Sequence, residues 1–483
     1  MLAGIKNNCA FLDSNDWHGS TDYYNFKDSI MKKLAILGAG ESGVGTAILA
    51  QKQGYDVFVS DMGSIKAKYK KSLDENNIRW EENQHTESEI LSATEVVKSP
   101  GIPDSAPIIQ ALIKKETPIL AELEFAQRYS KGKTICITGS NGKTTTTSLI
   151  YYIMKKWGVD VGLAGNIGHS YALQVATNDH DWYVLEISSF QLDNMFEFHA
   201  DVSVLMNITP DHLDRYDFKM QNYVDSKMRI IQNQEPKDSF IYWSDDEYID
   251  KELLKRQDGY APKPTPSSRN AVMGYPTLQP FSDEDLSAMS EFPNPLLPGK
   301  HNLRNMMAAY YATLAAMAKM DISAGQKEKL KEKLAQCLKD FPGVEHRLER
   351  VMDKDDILWI NDSKATNVDA CNVALEAMSR PTILIVGGKD KGNDYSTIAG
   401  LVKEKCCALV FLGVDNSKLH AAFDSLGLPI ADTHSMKECV EACRKFAKKG
   451  CTVLLSPCCA SFDLFKNMED RGEQFKTLVK QQA

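Results

Sequence analysis

Apolar residues in this chain gather into short unbroken runs that stop at glycine. "KLAILGAGESGVG" (Lys33–Gly45), "KTICITGSNGKTT" (Lys133–Thr145) and "PTILIVGGKDKGND" (Pro381–Asp394) share that plan. A run apolar at every position, rather than at alternate ones, is the pattern of a strand buried on both faces of a parallel sheet. The glycines predict a tight turn into a helix, and ligands of such sheets sit beyond the carboxyl ends of the strands. The three units are too unevenly spaced for a repeat array, so the pattern predicts three α/β domains. These are an N-terminal Rossmann-like domain, a central parallel sheet of P-loop ATPase type and a C-terminal Rossmann-like domain. The polar link "RYSKGK" and the Pro342-Gly343 break after a helical stretch over 302–338 place the domains at 31–130, 131–342 and 343–483. The stretch 256–298, rich in Pro, Ser and Asp, reads as loops or small strands within the middle domain. Residues 1–30 are polar and aperiodic, and "MKKLAIL" from Met31 resembles a chain start, so the first 30 are expected to be a disordered or dispensable tail.

Composition narrows the class. A chain of 483 residues exceeds one hydrophobic core. A net charge of −9 leaves no basic footprint for nucleic acid. No apolar window is long enough to span a membrane, and the N-terminus has no secretory pattern. The 11 cysteines are odd in number and form no CxxC, which fits reduced thiols in a cytoplasmic protein.

Candidate chemistry sits at the strand ends. Gly38-x-Gly40-x-x-Gly43 opens a helix, and Asp61 closes the following strand "DVFVSD". This is a dinucleotide fingerprint, yet a helix N-terminus of this kind accepts any pyrophosphate, so a nucleotide-sugar diphosphate fits equally. Ser99, in the turn after "TEVVK", is placed to add a hydroxyl to that cradle. In the second unit, only Ser140-Asn141 separate Gly139 from Gly142-Lys143, against four residues in the ordinary phosphate loop. The backbone from Gly139 to Thr145 can still form a nest, Lys143 can pair with phosphates, and Thr144 can ligate Mg²⁺. A carboxylate for the metal is supplied by Glu186, which ends the run "WYVLE" and precedes Ser188 and Gln191. "NITPDHLDRY" crowds Asn207, Asp211, His212, Asp214 and Arg215 at another strand end. His212 there is a metal ligand, a phosphate contact or part of a capped turn. Asn302 and Asn305 lie three apart in "GKHNLRN" and share a helix face, where they bond a base or merely cap the helix.

Taken in order, the motifs TGSNGKTT, AGNIG, LEISSFQLD, NITPDHLDRY, GKHNLRN, GVEHRLE, NDSKATN, GGKDKG and SPCCASFDLFKN resemble those of the Mur ligases, the ATP-dependent amide ligases of peptidoglycan precursor synthesis. The resemblance covers residues 31–483. NDSKATN, GG-x-x-K and SPxxASFD point to the branch that adds D-glutamate. It implies a monomer that takes ATP, UDP-N-acetylmuramoyl-L-alanine and D-glutamate, and forms an acyl phosphate. The roles it implies are these. Gly139, Ser140, Asn141, Gly142, Lys143, Thr144 and Thr145 wrap the ATP phosphates. Asn302, Asn305, Arg347 and Asp362 contact the rest of ATP, and Asn166 lies by the acyl phosphate. Thr144 and Glu186 hold one Mg²⁺. His212 and Lys227 serve a second, with Lys227 carbamylated by CO₂. Gly38, Gly40, Gly43, Asp61, Ser99, Ser188 and Gln191 take the UDP-substrate. Thr366, Lys391, Ser461 and Phe462 hold D-glutamate, and Lys364 lies nearer the phosphates. Met468 stands where that branch is expected to carry an aromatic residue. Three rivals remain, one of them a non-catalytic nucleotide-binding regulator, disfavoured because Lys143, Glu186, His212 and Lys227 are all intact. Another ligase of the same fold would be expected to show a DNPR-type stretch if it added diaminopimelate, and none is present. An NAD(P) oxidoreductase would use Gly38–Gly43 and leave TGSNGKTT unexplained.

Overall fold

The computed structural model describes residues 32–167, 169–257, 276–390 and 392–481. The expected tail 1–30, Gly168 of AGNIG and Lys391 lie outside the described residues. The apolar runs form the centres of three sheets. The first has five parallel strands in the spatial order Arg79–Glu82, Asp56–Asp61, Lys33–Leu37, Glu95–Lys98, Ile119–Leu120. The second has six parallel strands in the order Thr277–Phe281, Ser239–Trp243, Val202–Leu205, Lys133–Thr138, Trp182–Glu186, Val161–Gly165. In the third, Glu349–Lys354 pairs antiparallel with Ile357–Asn361, followed by the parallel strands Thr452–Cys458, Thr382–Gly387, Cys406–Leu412 and Ile430–Thr433.

Continuous burial explains the unbroken apolar runs. Ile135, Cys136 and Ile137 are each 0% exposed, because helices cover both faces of the central sheet. The order of that sheet decides where chemistry can occur. The strand that feeds the phosphate loop lies between the strand ending in Glu186 and the one leading into "NITPDH". Chain direction around the sheet reverses there, which opens a crevice at the carboxyl ends.

The first two sheets share one apolar core, joined where the helix Glu41–Lys52 packs on Tyr171–Thr177. The link between them, Glu122–Gln127, buries two carboxylates that its sequence would place in solvent. Glu124 accepts the amides of Phe196, Glu197 and Phe198 at 2.9–3.1 Å. Glu122 accepts the Ser170 hydroxyl at 2.6 Å and the Ala172 amide at 3.0 Å. These bonds fasten the first domain to the second. The third sheet has its own core on each face. The helical stretch expected over 302–338 is two helices, Lys300–Ala318 and Ala324–Asp340. Ser323 separates them by starting the second one, its hydroxyl accepting the Gln326 amide while Gln326 returns a bond to the Ser323 amide. The ten described cysteines are free thiols, nine of them buried.

Candidate active site

The phosphate loop is held open from three sides. Gly142 has φ +85°, and a Cβ there would lie 2.4 Å from Asn305 Oδ1, so any other residue would strain the backbone and displace Asn305. Asn207 clamps the loop with its backbone and amide: its carbonyl accepts the Ser140 amide at 2.9 Å and its Oδ1 the Asn141 amide at 2.8 Å. The Ser140 hydroxyl donates to the Thr209 carbonyl at 2.9 Å and lies 3.1 Å from the Tyr223 hydroxyl. The four threonines that look poor for a helix occupy its first turns, Thr144–Thr147, all buried. There Thr147 donates to the Lys143 carbonyl at 2.8 Å and Thr146 to the Met206 sulfur at 3.4 Å.

Two lysines converge on this loop. Lys143 Nζ donates to the carbonyls of Gly139 at 2.7 Å and Ser140 at 2.9 Å. Lys227, 1% exposed, reaches the same Gly139 carbonyl at 2.9 Å and sits 4.6 Å from the Tyr223 ring centroid. Burial lowers the pKa of both. For Lys143 the carboxylates of Glu186 and Asp211 oppose the fall. For Lys227 the Lys143 charge adds to it and the pKa drops well below the ordinary lysine value.

Glu186 faces them from the next strand, in register with Ile137 just before the loop. It is 1% exposed, and Asn166 Nδ2 donates to its Oε1 at 2.9 Å. Its Oε2 is buried with no hydrogen-bond partner, as is Thr145 Oγ1. A carboxylate oxygen left this way is costly unless a cation or donor arrives. A carboxylate oxygen in this position, with the Thr144 and Thr145 hydroxyls on the loop helix, offers the oxygen donors that a hard divalent ion such as Mg²⁺ takes. His212 sits at φ +53° in the loop after the Val202–Leu205 strand, 5.2 Å from the Phe190 ring and 3.7 Å from Asp211.

The helix Lys300–Ala318 braces the other side of the loop. Asn305 Nδ2 donates to Asn302 Oδ1 at 3.0 Å, and Asn302 Nδ2 to the Pro298 carbonyl at 2.7 Å, so the shared face is real and both residues are buried. Burial and the charges of Arg347 and Arg304 push His301 down to about 4, so it is neutral at physiological pH. Arg347 and Lys364 bring the third domain to this point. The Arg347 charge acts on Lys143, His301 and Lys364, and its Nε is buried without a partner. Burial lowers Lys364 against the pull of Glu186. Asp362 is buried, its oxygens accepting the Ser456 hydroxyl at 2.9 Å and the Leu348 amide at 3.2 Å. Thr366 is half-buried, Ser461 is 2% exposed and the Phe462 ring is 67% exposed.

In the first domain Asp61 turns back on the glycine loop. Its oxygens accept the amides of Ala39 at 2.7 Å and Gly63 at 2.8 Å. A Cβ at Gly43 would lie 1.9 Å from the Gly38 carbonyl, which makes this crossing impossible for any other residue. Gly40 starts the helix and has open space before it. Ser99, Gly43 and Gln191 line one small cavity of about 20 Å³ between the first and central domains. Ser188 and Gln191 cap a short helix reciprocally, Ser188 donating to Gln191 Oε1 at 2.8–2.9 Å.

Models of three family domains match the chain in order: the MurD N-terminal domain over 33–107, the Mur ligase middle domain over 137–313, and the Mur ligase glutamate ligase domain over 346–459. A UDP-N-acetylmuramoylalanine–D-glutamate ligase of Bacteroides fragilis is 56% identical over 93% of this chain and 100% of its own length. The chain belongs to the Mur ligase family. The ligase of the same name from Porphyromonas gingivalis is 49% identical over 94% of this chain and 99% of its own. Among solved Mur ligase structures, UDP-N-acetylmuramate-alanine ligase from Thermotoga maritima matches with TM-score 0.55 at 16% identity, covering 94% of this chain and 100% of that one. MurF ligase from the same organism, in complex with ADP, matches with TM-score 0.52 at 15% identity, covering 82% and 92%. At such identities the likeness is one of fold.

Two residues of this Mur ligase site carry no assigned role in the sequence reading. Asn207 stood out only as one of several polar residues at a strand end, and its grip on the loop depends on a neighbour 66 positions away. Tyr223 looks like an ordinary helix aromatic, yet its ring and hydroxyl touch Lys227 and Ser140.

Proposed function

We propose that the chain is an ATP-dependent amide ligase that joins D-glutamate to UDP-N-acetylmuramoyl-L-alanine in peptidoglycan precursor synthesis, working as a monomer in the cytoplasm. Among the described residues no helix is long and apolar enough to cross a membrane. The substrate carboxylate attacks the γ-phosphorus of ATP, the bond to the ADP oxygen breaks, and an acyl phosphate forms. The D-glutamate amine then attacks the acyl carbon, loses a proton, and inorganic phosphate leaves.

The observation that carries this reading is the pairing of half-buried Lys143 and buried Lys227 on the Gly139 carbonyl opposite a Glu186 oxygen that no described residue satisfies. Such a site is poised for added anionic phosphate and cations. Gly139–Thr145 surround the phosphates, and Lys143 leaves its two carbonyls to follow the γ-phosphoryl group. Thr144 and Glu186 would hold one Mg²⁺ and His212 a second. The ions supply charge neutralisation of the triphosphate. Lys227 would serve the second ion as a carbamate. Burial and the Lys143 charge favour its neutral amine, the form that adds to CO₂ with loss of one proton, and the resulting anion relieves its repulsion with Lys143. Asn166 orients Glu186 and lies by the acyl phosphate. Asn302, Asn305, Arg347 and Asp362 take the rest of the nucleotide. Gly38, Gly40, Gly43, Asp61, Ser99, Ser188 and Gln191 take the UDP-muramoyl group, Asp61 exchanging a backbone amide for it. Thr366, Ser461, Phe462 and Lys391 hold the D-glutamate carboxylates.

ADP release measured with each substrate omitted in turn tests this. Release should require both UDP-N-acetylmuramoyl-L-alanine and D-glutamate. Equal rates with L-lysine or diaminopimelate, or release without the UDP-substrate, would overturn it.

A further inference from the structure

Arg471 is among the largest fully buried side chains of the molecule, 1% exposed, and it plays no part in the mechanism above. It lies in the first turn of the helix Met468–Gln481. Its Nε donates to the Ser363 hydroxyl at 2.9 Å, Nη2 to the Ser363 carbonyl at 2.8 Å and Nη1 to the Cys459 carbonyl at 3.1 Å. The Ser363 hydroxyl in turn donates to the Met468 carbonyl at 2.8 Å. Ser363 belongs to NDSKATN and Cys459 to SPCCASFD, so one guanidinium joins the two segments that carry Thr366 and Ser461. The third segment rests against it as well. A Cβ on Gly388, in GGKDKG, would lie 3.3 Å from Nη1 and 2.4 Å from the Ala460 carbonyl.

No hydrogen bond or ion pair found among the described residues joins this guanidinium to a carboxylate. Asp463 and Asp362 act on it through space only, and burial lowers its pKa to about 10, which leaves it charged at neutral pH. A cation buried without a carboxylate is costly to the fold. It becomes favourable when an anion docks nearby, because the field in a low-dielectric interior is poorly screened. Three segments fastened around a fixed positive charge form a wall suited to a dianionic amino acid.

We propose that Arg471 is a positioning residue of the amino-acid pocket: it locks the NDSKATN, SPCCASFD and GGKDKG segments into one wall and supplies a positive field that favours a substrate with a second carboxylate. The proposal rests on the reading that D-glutamate is the substrate. Arg471 touches no reacting atom and is too buried to meet the ligand, so its effect reaches the substrate through the wall and through the field.

Arg471→Met and Arg471→Lys in the full chain test it. For each, kcat and KM are measured for D-glutamate, D-glutamine and ATP, alongside thermal unfolding. Arg471→Met should raise the D-glutamate KM roughly 10-fold, the size of a through-space charge effect in a poorly screened interior together with a loosened wall. The ATP KM should stay within about 2-fold, and the preference for D-glutamate over D-glutamine should fall as the D-glutamate KM rises. Arg471→Lys keeps the charge and should retain most of that preference while losing part of the affinity. Equal losses for D-glutamate and ATP, or an unchanged preference in Arg471→Met, would overturn the proposal. Should Arg471→Met fail to fold, Ser363→Ala removes the Nε acceptor and the donor to the Met468 carbonyl while leaving the Nη1 and Nη2 bonds, and must then show the same KM split at smaller size; an even loss overturns the proposal. Wild-type enzyme that ignores D-glutamate sinks the substrate reading instead, and is recognised before any variant is made.

Discussion

Replacing Asp362 by Asn separates the electrostatic cost of this site from its chemistry. The Asp362 carboxyl is 4% exposed, and burial raises its pKa from 3.8 to about 7, against the pull of Arg347, Ser456 and the Leu348 amide. The unfolded chain loses this proton near the ordinary aspartate value. Between that pH and about 7 the folded protein holds a proton that the unfolded chain has released, so stability falls as pH rises through the window and is level above it. At 1.36 kcal/mol per pH unit the cost reaches about 4 kcal/mol at and above neutrality. Asparagine has nearly the same shape and never ionises. It can accept the Leu348 amide, and it exchanges the Ser456 bond at a cost of about 1 kcal/mol. Asp362→Asn should therefore be about 1 kcal/mol less stable than wild type in acid and about 3 kcal/mol more stable at mildly alkaline pH. Urea unfolding of both proteins across that range, with slopes compared to exclude a change in the unfolded state, reads the difference. The same variant should bind ATP more weakly, since the carboxylate is assigned to the nucleotide beyond its phosphates. A stability difference that does not change with pH would refute the reasoning.

Lys143→Ala should abolish turnover without altering the fold, because it removes charge at the phosphates; more than about a tenth of wild-type rate would contradict its role. Lys227→Ala should lose turnover, resist rescue by bicarbonate and recover partly with acetate, a short carboxylate standing in for the carbamate; a fully active variant would remove the carbamate. Gly142→Ala should cost about 1–2 kcal/mol in left-handed backbone strain and push Asn305 aside, raising the ATP KM far more than that of D-glutamate; unchanged ATP kinetics would show that Asn305 gives way freely.

The fold was legible because its signal is local. Each buried parallel strand writes an unbroken apolar run, and each phosphate-facing turn writes glycine; both survive in a single stretch of sequence such as Lys133–Thr145. Glu186 was legible for the same reason, as a lone acid closing an apolar run. What escaped depends on distance along the chain. Glu122 and Glu124 read as solvated helix residues, and their burial follows from amides about 50 to 70 positions away. Asn207 and Arg471 likewise take their roles from partners on other segments. Arg471 stands in "NMEDRGEQF", where a charged residue among charged residues gives no sign that the helix turns it inward. The Asn302–Asn305 pair was visible as a face, but that it props Gly142 emerges only from the packing of the long helix against the loop.

The account's central claim is that this loop delivers the γ-phosphoryl group of ATP to a carboxylate, and oxygen tracing tests it most directly. UDP-N-acetylmuramoyl-L-alanine carrying ¹⁸O in its alanine carboxylate is turned over with ATP and D-glutamate, and the inorganic phosphate is analysed by mass. The attacking carboxylate oxygen leaves with the phosphate, so each turnover should place one ¹⁸O in phosphate and leave one in the new amide carbonyl. Unlabelled phosphate at full product yield would contradict the acyl phosphate and the roles assigned to Lys143 and Glu186 around it.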